Sequence, residues 1–111
     1  MMDCYALDLK DDPALIAEYD RWHRNVWPEV LEHLRTQGIT RCTMHRTGNR
    51  LFMMVESSTG AATDGGASPL PPRVQEWEEL MSTFQQSLPF ARPGEKWLRM
   101  ERIFEWESEG R

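Results

Sequence analysis

The sequence has few cysteines, no long apolar run and no cluster of basic residues. Cys4 and Cys42, its two cysteines, lack Cys-x-x-Cys spacing, so we expect reduced thiols and no metal site. No apolar run approaches the ~20 residues of a membrane-spanning helix, and residues 1–5 lack the basic and apolar regions of a secretory signal. These absences predict a cytoplasmic protein without a membrane partner.

Acidic residues outnumber basic ones, which gives a formal net charge of −5. This charge disfavours a nucleic acid or an anionic membrane as partner. The 111 residues match one domain, 1–111, that can bury roughly 65% of its unfolded surface without disulfides or metals. With 40% apolar and 28% charged residues, the composition is that of a globular domain.

The first third of the chain predicts one strand and two helices. Residues 4–9 alternate in the manner of a strand, with every second side chain on the same face. Asp12 can cap a helix over 13–25, and Pro28 both ends that helix and can open a second. Gly38 is the expected end of the second helix.

The remaining chain predicts a hairpin, a helix and a closing strand. Strands over 39–46 and 51–56 flank the turn 47–50, and the apolar run in the second of them is typical of a central strand. A helical period covers 74–88, and alternation returns over 97–106. The order β-α-β-β-α-β predicts a ferredoxin-like α+β fold, an antiparallel sheet with helices on one face.

Residues 57–73 differ in composition from the rest, being rich in Ser, Gly, Ala, Thr and Pro. They predict a flexible loop. A loop of this length inside a compact domain is uncommon, and it is either a lid over a ligand or slack between elements.

The face of the sheet opposite the helices is predicted to be apolar, with Met54, Phe104 and Trp106 on it. An apolar face of this kind needs a cover. A second copy of the chain or the long loop could supply it, and we favour a homodimer.

One segment, from Glu18 to Glu29, combines polar and aromatic side chains at helical spacing. Tyr19 and His23 lie four residues apart and therefore share a helix face. Trp27 precedes Pro28 and should leave helical geometry. A tyrosine or a histidine alone on such a face most often packs in the core. Together with the indole they suit a polar, ring-shaped ligand.

The pattern Tyr19-x-x-x-His23-x-x-x-Trp27-Pro28-Glu29 resembles the signature of the L-rhamnose mutarotase family. The resemblance extends through Leu51-Phe52-x-Met54-Val55-Glu56, the helix that carries Trp77 and Met81, and the closing strand. It implies a dimeric α/β barrel without a cofactor, which interconverts the anomers of a 6-deoxy-hexose. It also implies that His23 is the general acid and that Tyr19 contacts the sugar.

The sequence departs from the family pattern in three places that bear on the substrate, and one of them is the Gly- and Pro-rich run 59–72, which is partly helical in relatives. Trp77-Glu78 stands where the family commonly has two tryptophans, so a carboxylate replaces one indole. Cys42 stands where a tyrosine of the family contacts the sugar. Because a changed polar group can read another hydroxyl while the reaction is kept, L-fucose is a candidate beside L-rhamnose.

Mutarotation needs one group that protonates the ring oxygen and one that takes the proton of the anomeric hydroxyl. Histidine suits the first task because its ordinary pKa of about 6.5 lies near working pH. We expect Trp77 and Trp27 to wall the site and Glu78 to contact the substrate. The base stays open between a water and four carboxylates, those of Asp8, Glu29, Glu78 and Glu101. His33 and His45 belong to no recognisable functional motif, and we expect both to have structural roles.

Two other functions fit the same fold class. A cofactor-free monooxygenase would use the histidine as a base on an apolar substrate and would consume oxygen. A sugar-binding module would hold the ligand through Tyr19, His23 and Trp77 without accelerating anomer exchange.

Overall fold

The computed structural model describes residues 2–58 and 70–108. Within them the sheet has the order β2 (Ile39–Thr47), β3 (Arg50–Ser57), β1 (Met2–Leu9) and β4 (Gln85–Gln86), and β5 (Leu98–Arg99) also pairs with β1. Strand β1 spans Met2–Leu9, and its residue Leu7 lies opposite Leu51 in the antiparallel register with β3. The predicted strand 4–9 is therefore confirmed, and the α+β ferredoxin-like order with it.

Helix α1 spans Pro13–Trp22. The carboxylate of Asp12 accepts hydrogen bonds from the backbone N–H groups of Ala14 (2.9 Å) and Leu15 (3.2 Å), which confirms the predicted cap. The predicted end near Asn25 was wrong. The backbone tightens after Trp22, since the N–H of Asn25 donates to the carbonyl of Trp22 only three residues earlier.

Helix α2 spans Pro28–Thr36 and begins where the proline predicted it. Trp27, the preceding residue, has φ −58° and ψ 137°, the extended geometry that a following proline imposes. Gly38 has φ 80°, a left-handed conformation that ends helices and favours glycine. Both predictions are confirmed.

Strands β2 (Ile39–Thr47) and β3 (Arg50–Ser57) form the predicted hairpin, with Thr47 opposite Arg50. Gly48 has φ 57° in the turn, where a residue with a Cβ would be strained. Strand β3 lies between β2 and β1, as its apolar run predicted.

Helix α3 spans Pro72–Ser82 and is shorter than the predicted 74–88. The hydroxyl of Thr83 donates to the carbonyl of Leu80 (2.7 Å), and the carbonyl of Phe84 accepts the N–H of Lys10 (2.9 Å). The first bond caps the end of the helix, and the second joins the chain after the helix to the residue that follows β1. The next residues form strand β4 (Gln85–Gln86), with Gln85 opposite Leu9.

The predicted closing strand 97–106 was wrong in length, because β5 covers only Leu98–Arg99. Arg99 lies opposite Tyr5, and the N–H of Met100 donates to the carbonyl of Cys4 (2.7 Å). The ladder stops there, although Asp3 and Met2 would be the next partners on β1. Residues 101–108 have no regular structure and are exposed.

The main apolar core lies between the helices and the sheet. Its buried residues come from all three described helices, from β1 and β3, and from the segment after α3: Leu9, Tyr19, Val30, Leu51, Trp77, Met81 and Phe84. The register places Met54 on the opposite face, as predicted, beside Cys4 of β1. Most of the predicted loop 57–73 lies outside the described residues, although Ser57 belongs to β3 and Pro72 begins α3.

No helix in the described part of the chain is long and apolar enough to cross a bilayer.

Candidate functional site

A cavity of about 390 Å³ opens between the three helices and the helix-facing side of β2 and β3. This volume falls in the usual range for a small-molecule site. Most of its lining is apolar, and a few polar groups converge in it. The lining side chains are Tyr19, His23, Val26, Val30, Leu31, Leu34, Cys42, Met44, Met53, Trp77, Glu78, Met81, Gln85 and Trp97.

His23 is the residue at which α1 ends. Its Nδ1 atom lies 2.9 Å from the main-chain carbonyl oxygen of Tyr19, one helical turn earlier. A carbonyl oxygen only accepts hydrogen bonds, so Nδ1 carries the hydrogen and donates it. The other ring nitrogen, Nε2, is therefore the atom that can exchange a proton with a ligand.

Tyr19 is buried, with only 3% of its surface exposed, and its ring centroid lies 4.5 Å from that of His23. Its hydroxyl oxygen accepts a hydrogen bond from Nε2 of Gln85 at 3.2 Å. Burial raises the pKa of Tyr19 to about 12; the bond from Gln85 lowers it in part, and the nearby charges of Glu78 and Asp20 raise it. The hydroxyl thus keeps its proton at neutral pH and can donate it.

Trp77 forms an aromatic wall of the cavity and is 4% exposed. Its ring meets the imidazole of His23 nearly edge-on, with centroids 5.6 Å apart and an interplanar angle of 75°. Trp27 packs behind it at 5.2 Å and holds the guanidinium of Arg73 over its own ring at 4.0 Å. Trp27 does not line the cavity, so its contact with the site passes through Trp77.

Glu78 contributes a carboxylate to the cavity, and about half of its side chain is exposed. Its Oε1 lies 3.7 Å from Nζ of Lys96, and the ammonium also donates to the hydroxyl of Ser82 at 2.8 Å. An exposed ion pair at this distance is weak. The carboxylate is therefore available to a ligand.

The other three candidate carboxylates lie away from the cavity. Asp8 is buried and accepts two hydrogen bonds from the guanidinium of Arg50 at 2.8 and 3.1 Å. Glu29 lies near Arg73, and Glu101 lines a different hollow at the C-terminal segment. The structure thus brings Tyr19, His23, Trp77 and Glu78 together in the cavity. Trp27 lies behind Trp77 and does not reach the cavity.

Ten of the fourteen described cavity residues lie outside the predicted site, and three of these carry a thiol, an amide or an aromatic ring. Gln85 belonged to a predicted helix, and only the turn of the chain into β4 carries its side chain under α1. Trp97 closes the cavity from just before β5. Cys42 lines the cavity from β2, and burial raises the pKa of its thiol.

The remaining histidines lie outside this cavity. His45 is exposed on β2 and contacts the ring of Phe52 at 6.0 Å, while His33 lies in α2. In the described part of the chain, no group of three or more His, Cys, Asp or Glu side chains could hold a metal ion.

A family model described as L-rhamnose mutarotase matches residues 3–106. An L-fucose mutarotase of Xanthomonas campestris pv. campestris is 48% identical over 91% of this chain and 84% of its own length. An L-rhamnose mutarotase of Acidiphilium cryptum is 30% identical over 93% of this chain and 97% of its own.

The fold also has relatives among solved structures. The crystal structure of an L-rhamnose mutarotase from Formosa agariphila superposes with a TM-score of 0.70 and covers 96% of this chain and 99% of that one. At 20% identity, this likeness establishes the fold alone.

Proposed function

The chain belongs to the L-rhamnose mutarotase family, and from that premise we propose that it interconverts the α and β anomers of a 6-deoxy-L-hexose. The observation that carries the proposal is the position of His23, whose Nδ1–H is held by a main-chain carbonyl while its ring lines a cavity shared with Glu78. An imidazole and a carboxylate in one cavity are the acid and the base that ring opening needs.

L-fucose is our first choice of substrate, and L-rhamnose is the second. The relative with 48% identity is an L-fucose mutarotase, whereas the L-rhamnose mutarotase is 30% identical. The departures at Cys42 and Glu78 support a hydroxyl pattern other than that of L-rhamnose, because both side chains line the cavity.

In the proposed reaction the protonated imidazole of His23 donates its Nε2 proton to the ring oxygen, O5. Glu78 takes the proton of the anomeric hydroxyl, the C1–O5 bond breaks and O1 becomes the aldehyde oxygen. Rotation about C1–C2 then exposes the other carbonyl face. O5 attacks C1, its proton returns to His23 and Glu78 returns a proton to O1, so both groups are restored.

The aromatic residues would hold the sugar while this happens. Trp77 offers an indole to the C–H side of the ring, and the hydroxyl of Tyr19 offers a hydrogen-bond donor. Trp27 would support Trp77 from behind, as its 5.2 Å ring contact indicates. A displacement of a bound ring by 1 Å can cost 10²-fold in rate, to an order of magnitude.

Saturation-transfer NMR tests the proposal directly. Irradiation of one anomeric proton of L-fucose should reduce the signal of the other anomer when the protein is added, and L-rhamnose should show the same effect. Binding without any gain in exchange would instead select the sugar-binding module. Oxygen uptake with an apolar substrate and no anomer exchange would select the monooxygenase.

We also propose that the protein acts as a homodimer. Ile103, Phe104 and Trp106 are 93%, 79% and 73% exposed on the segment that follows β5. Side chains of this size favour burial against a partner, and a second copy offers the same surface in return. Sedimentation equilibrium should give twice the monomer mass of 13.0 kDa, and Phe104→Glu should shift the equilibrium to monomer.

The cytoplasmic location and the absence of nucleic-acid partners stay predictions from the sequence.

A further inference from the structure

Gln85 lies where β4 meets the end of β1, opposite Leu9 in the register. The pairing directs its side chain to the helix-facing side of the sheet and into the cavity with Tyr19 and His23. Its neighbour Gln86 is exposed and lies opposite Asp8, on the other side of the same strand. Two chemically identical side chains therefore occupy two different environments.

The amide of Gln85 is half satisfied. Nε2 donates to the hydroxyl of Tyr19 at 3.2 Å, while Oε1 is buried and has no hydrogen-bond partner within residues 2–58 and 70–108. A buried carbonyl oxygen without a donor is destabilising, and native proteins keep few of them. Because the side chain of Gln85 lines the cavity, a rotation of its amide would bring this oxygen to a ligand that supplies the missing donor.

The hydroxyl of Tyr19 completes the arrangement. It accepts from Gln85 and so has its own hydrogen left to donate. The two side chains together offer one acceptor and one donor, which is what a single sugar hydroxyl requires. If the amide is turned over, Tyr19 donates to Oε1 and Nε2 faces the cavity, and the pair still offers one donor and one acceptor.

We propose that Gln85, paired with Tyr19, reads the configuration of one ring hydroxyl of the substrate and so determines which 6-deoxy-L-hexose is accepted. This inference rests on the proposed function. L-fucose and L-rhamnose differ in configuration at C2 and C4, so the hydroxyl that is read is one of these two. A site that hydrogen-bonds a hydroxyl discriminates against sugars that place it elsewhere, because its polar groups then stay unpaired.

The test uses four sugars and anomer exchange measured by NMR. L-quinovose differs from L-fucose at C4 only, and 6-deoxy-L-talose differs at C2 only, so the series with L-rhamnose separates the two positions. The wild-type protein is expected to discriminate at one of these carbons. In Gln85→Leu, kcat/KM for the preferred sugar should fall by about 10-fold or more, while that for the disfavoured epimer falls by less than about threefold.

Gln86→Leu is the matched control and should leave the ratios of kcat/KM between the four sugars unchanged. Gln85→Glu is a second variant, which keeps the size of the side chain. Its carboxylate accepts the hydrogen of Tyr19 and has no hydrogen to donate. It should therefore reduce the ratio of kcat/KM between the preferred sugar and its disfavoured epimer. In a double-mutant cycle, the effect of Tyr19→Phe with Gln85→Leu on this kcat/KM ratio should be smaller than the sum of the two single effects in free energy, because the two residues act as a pair.

The outcomes distinguish this inference from the proposed function. Exchange by the wild-type protein, with equal losses for all four sugars in Gln85→Leu or with no loss at all, overturns the role of Gln85 alone. An absence of exchange with every sugar overturns the proposed function and this inference with it. The inference is also overturned if Gln86→Leu changes the ratio of kcat/KM between the sugars in the same way as Gln85→Leu.

Discussion

The backbone carbonyl of Tyr19 accepts a hydrogen bond from Nδ1 of His23 at 2.9 Å, and the two rings lie 4.5 Å apart. The pair is thus joined through both backbone and side chain. The first contact fixes which imidazole nitrogen carries the hydrogen, and the second limits the rotation of the ring. A spacing of four residues at the end of a helix is sufficient to produce both.

Tyr19 predicts a pH dependence of stability. Its pKa rises from 10.0 to about 12 on folding, so the folded state binds more protons than the unfolded state between these values, and stability falls as pH rises through them. The full loss is roughly 2–3 kcal/mol, about half of it below pH 11. Urea unfolding at pH 9 and pH 11 should show this fall in the wild-type protein, and Tyr19→Phe should show a smaller one. Equal falls in both would contradict the assigned pKa.

Glu78 predicts a loss of rate without a loss of fold. Glu78→Gln keeps the size of the side chain but removes the proton acceptor, so anomer exchange should slow by about 10²–10⁴. Glu79→Gln is the matched control, because Glu79 is exposed and lies outside the cavity. Full activity of Glu78→Gln in the NMR exchange assay would remove the carboxylate from the reaction and leave a water as the base.

Asp8 predicts the opposite result. Its buried carboxylate bonds the half-exposed guanidinium of Arg50, away from the cavity. Asp8→Asn should lower the free energy of unfolding by about 1–2 kcal/mol, since one charged partner of the pair is lost. Anomer exchange at a temperature where the variant is folded should be unchanged. A loss of anomer exchange in the folded variant would make Asp8 a candidate for the catalytic base again.

Trp77 is predicted to serve both the core and the site. Trp77→Ala should destabilise the protein by about 3–5 kcal/mol, as expected for removal of a large buried aromatic side chain. Phe90 is exposed, so Phe90→Ala should change stability by less than about 0.5 kcal/mol. Trp77→Phe keeps an aromatic wall and should retain most of the stability while weakening sugar binding. Thermal unfolding and NMR titration with L-fucose measure the two effects.

The sequence predicted the elements whose signals are local. Asp12 before Pro13, Pro28 and Gly38 each act on the backbone within a few residues, and the structure has both helix starts and the end of α2 where they imply them. The end of α1 is the exception, since it comes at Trp22 and not near Asn25. The pairing of Tyr19 with His23 follows from helical spacing in the same way.

The remaining features depend on long-range contacts. Phe84 and Leu88 continue the helical period of α3, yet they are buried where the chain returns to the sheet, and periodicity does not distinguish these two cases. The end of β5 at Arg99 has no local signal either, since the strand-like alternation of the sequence continues to residue 106. The position of Gln85 beside Tyr19 joins residues 66 apart in sequence, and only the folded chain shows it.

The central claim is that His23 transfers a proton to and from the ring oxygen of a 6-deoxy-L-hexose. Anomer exchange of L-fucose, followed by saturation-transfer NMR, should fall by about 10²-fold or more in His23→Gln, while His33→Gln keeps the wild-type rate and both variants stay folded. Exchange in folded His23→Gln at the wild-type rate would contradict the account.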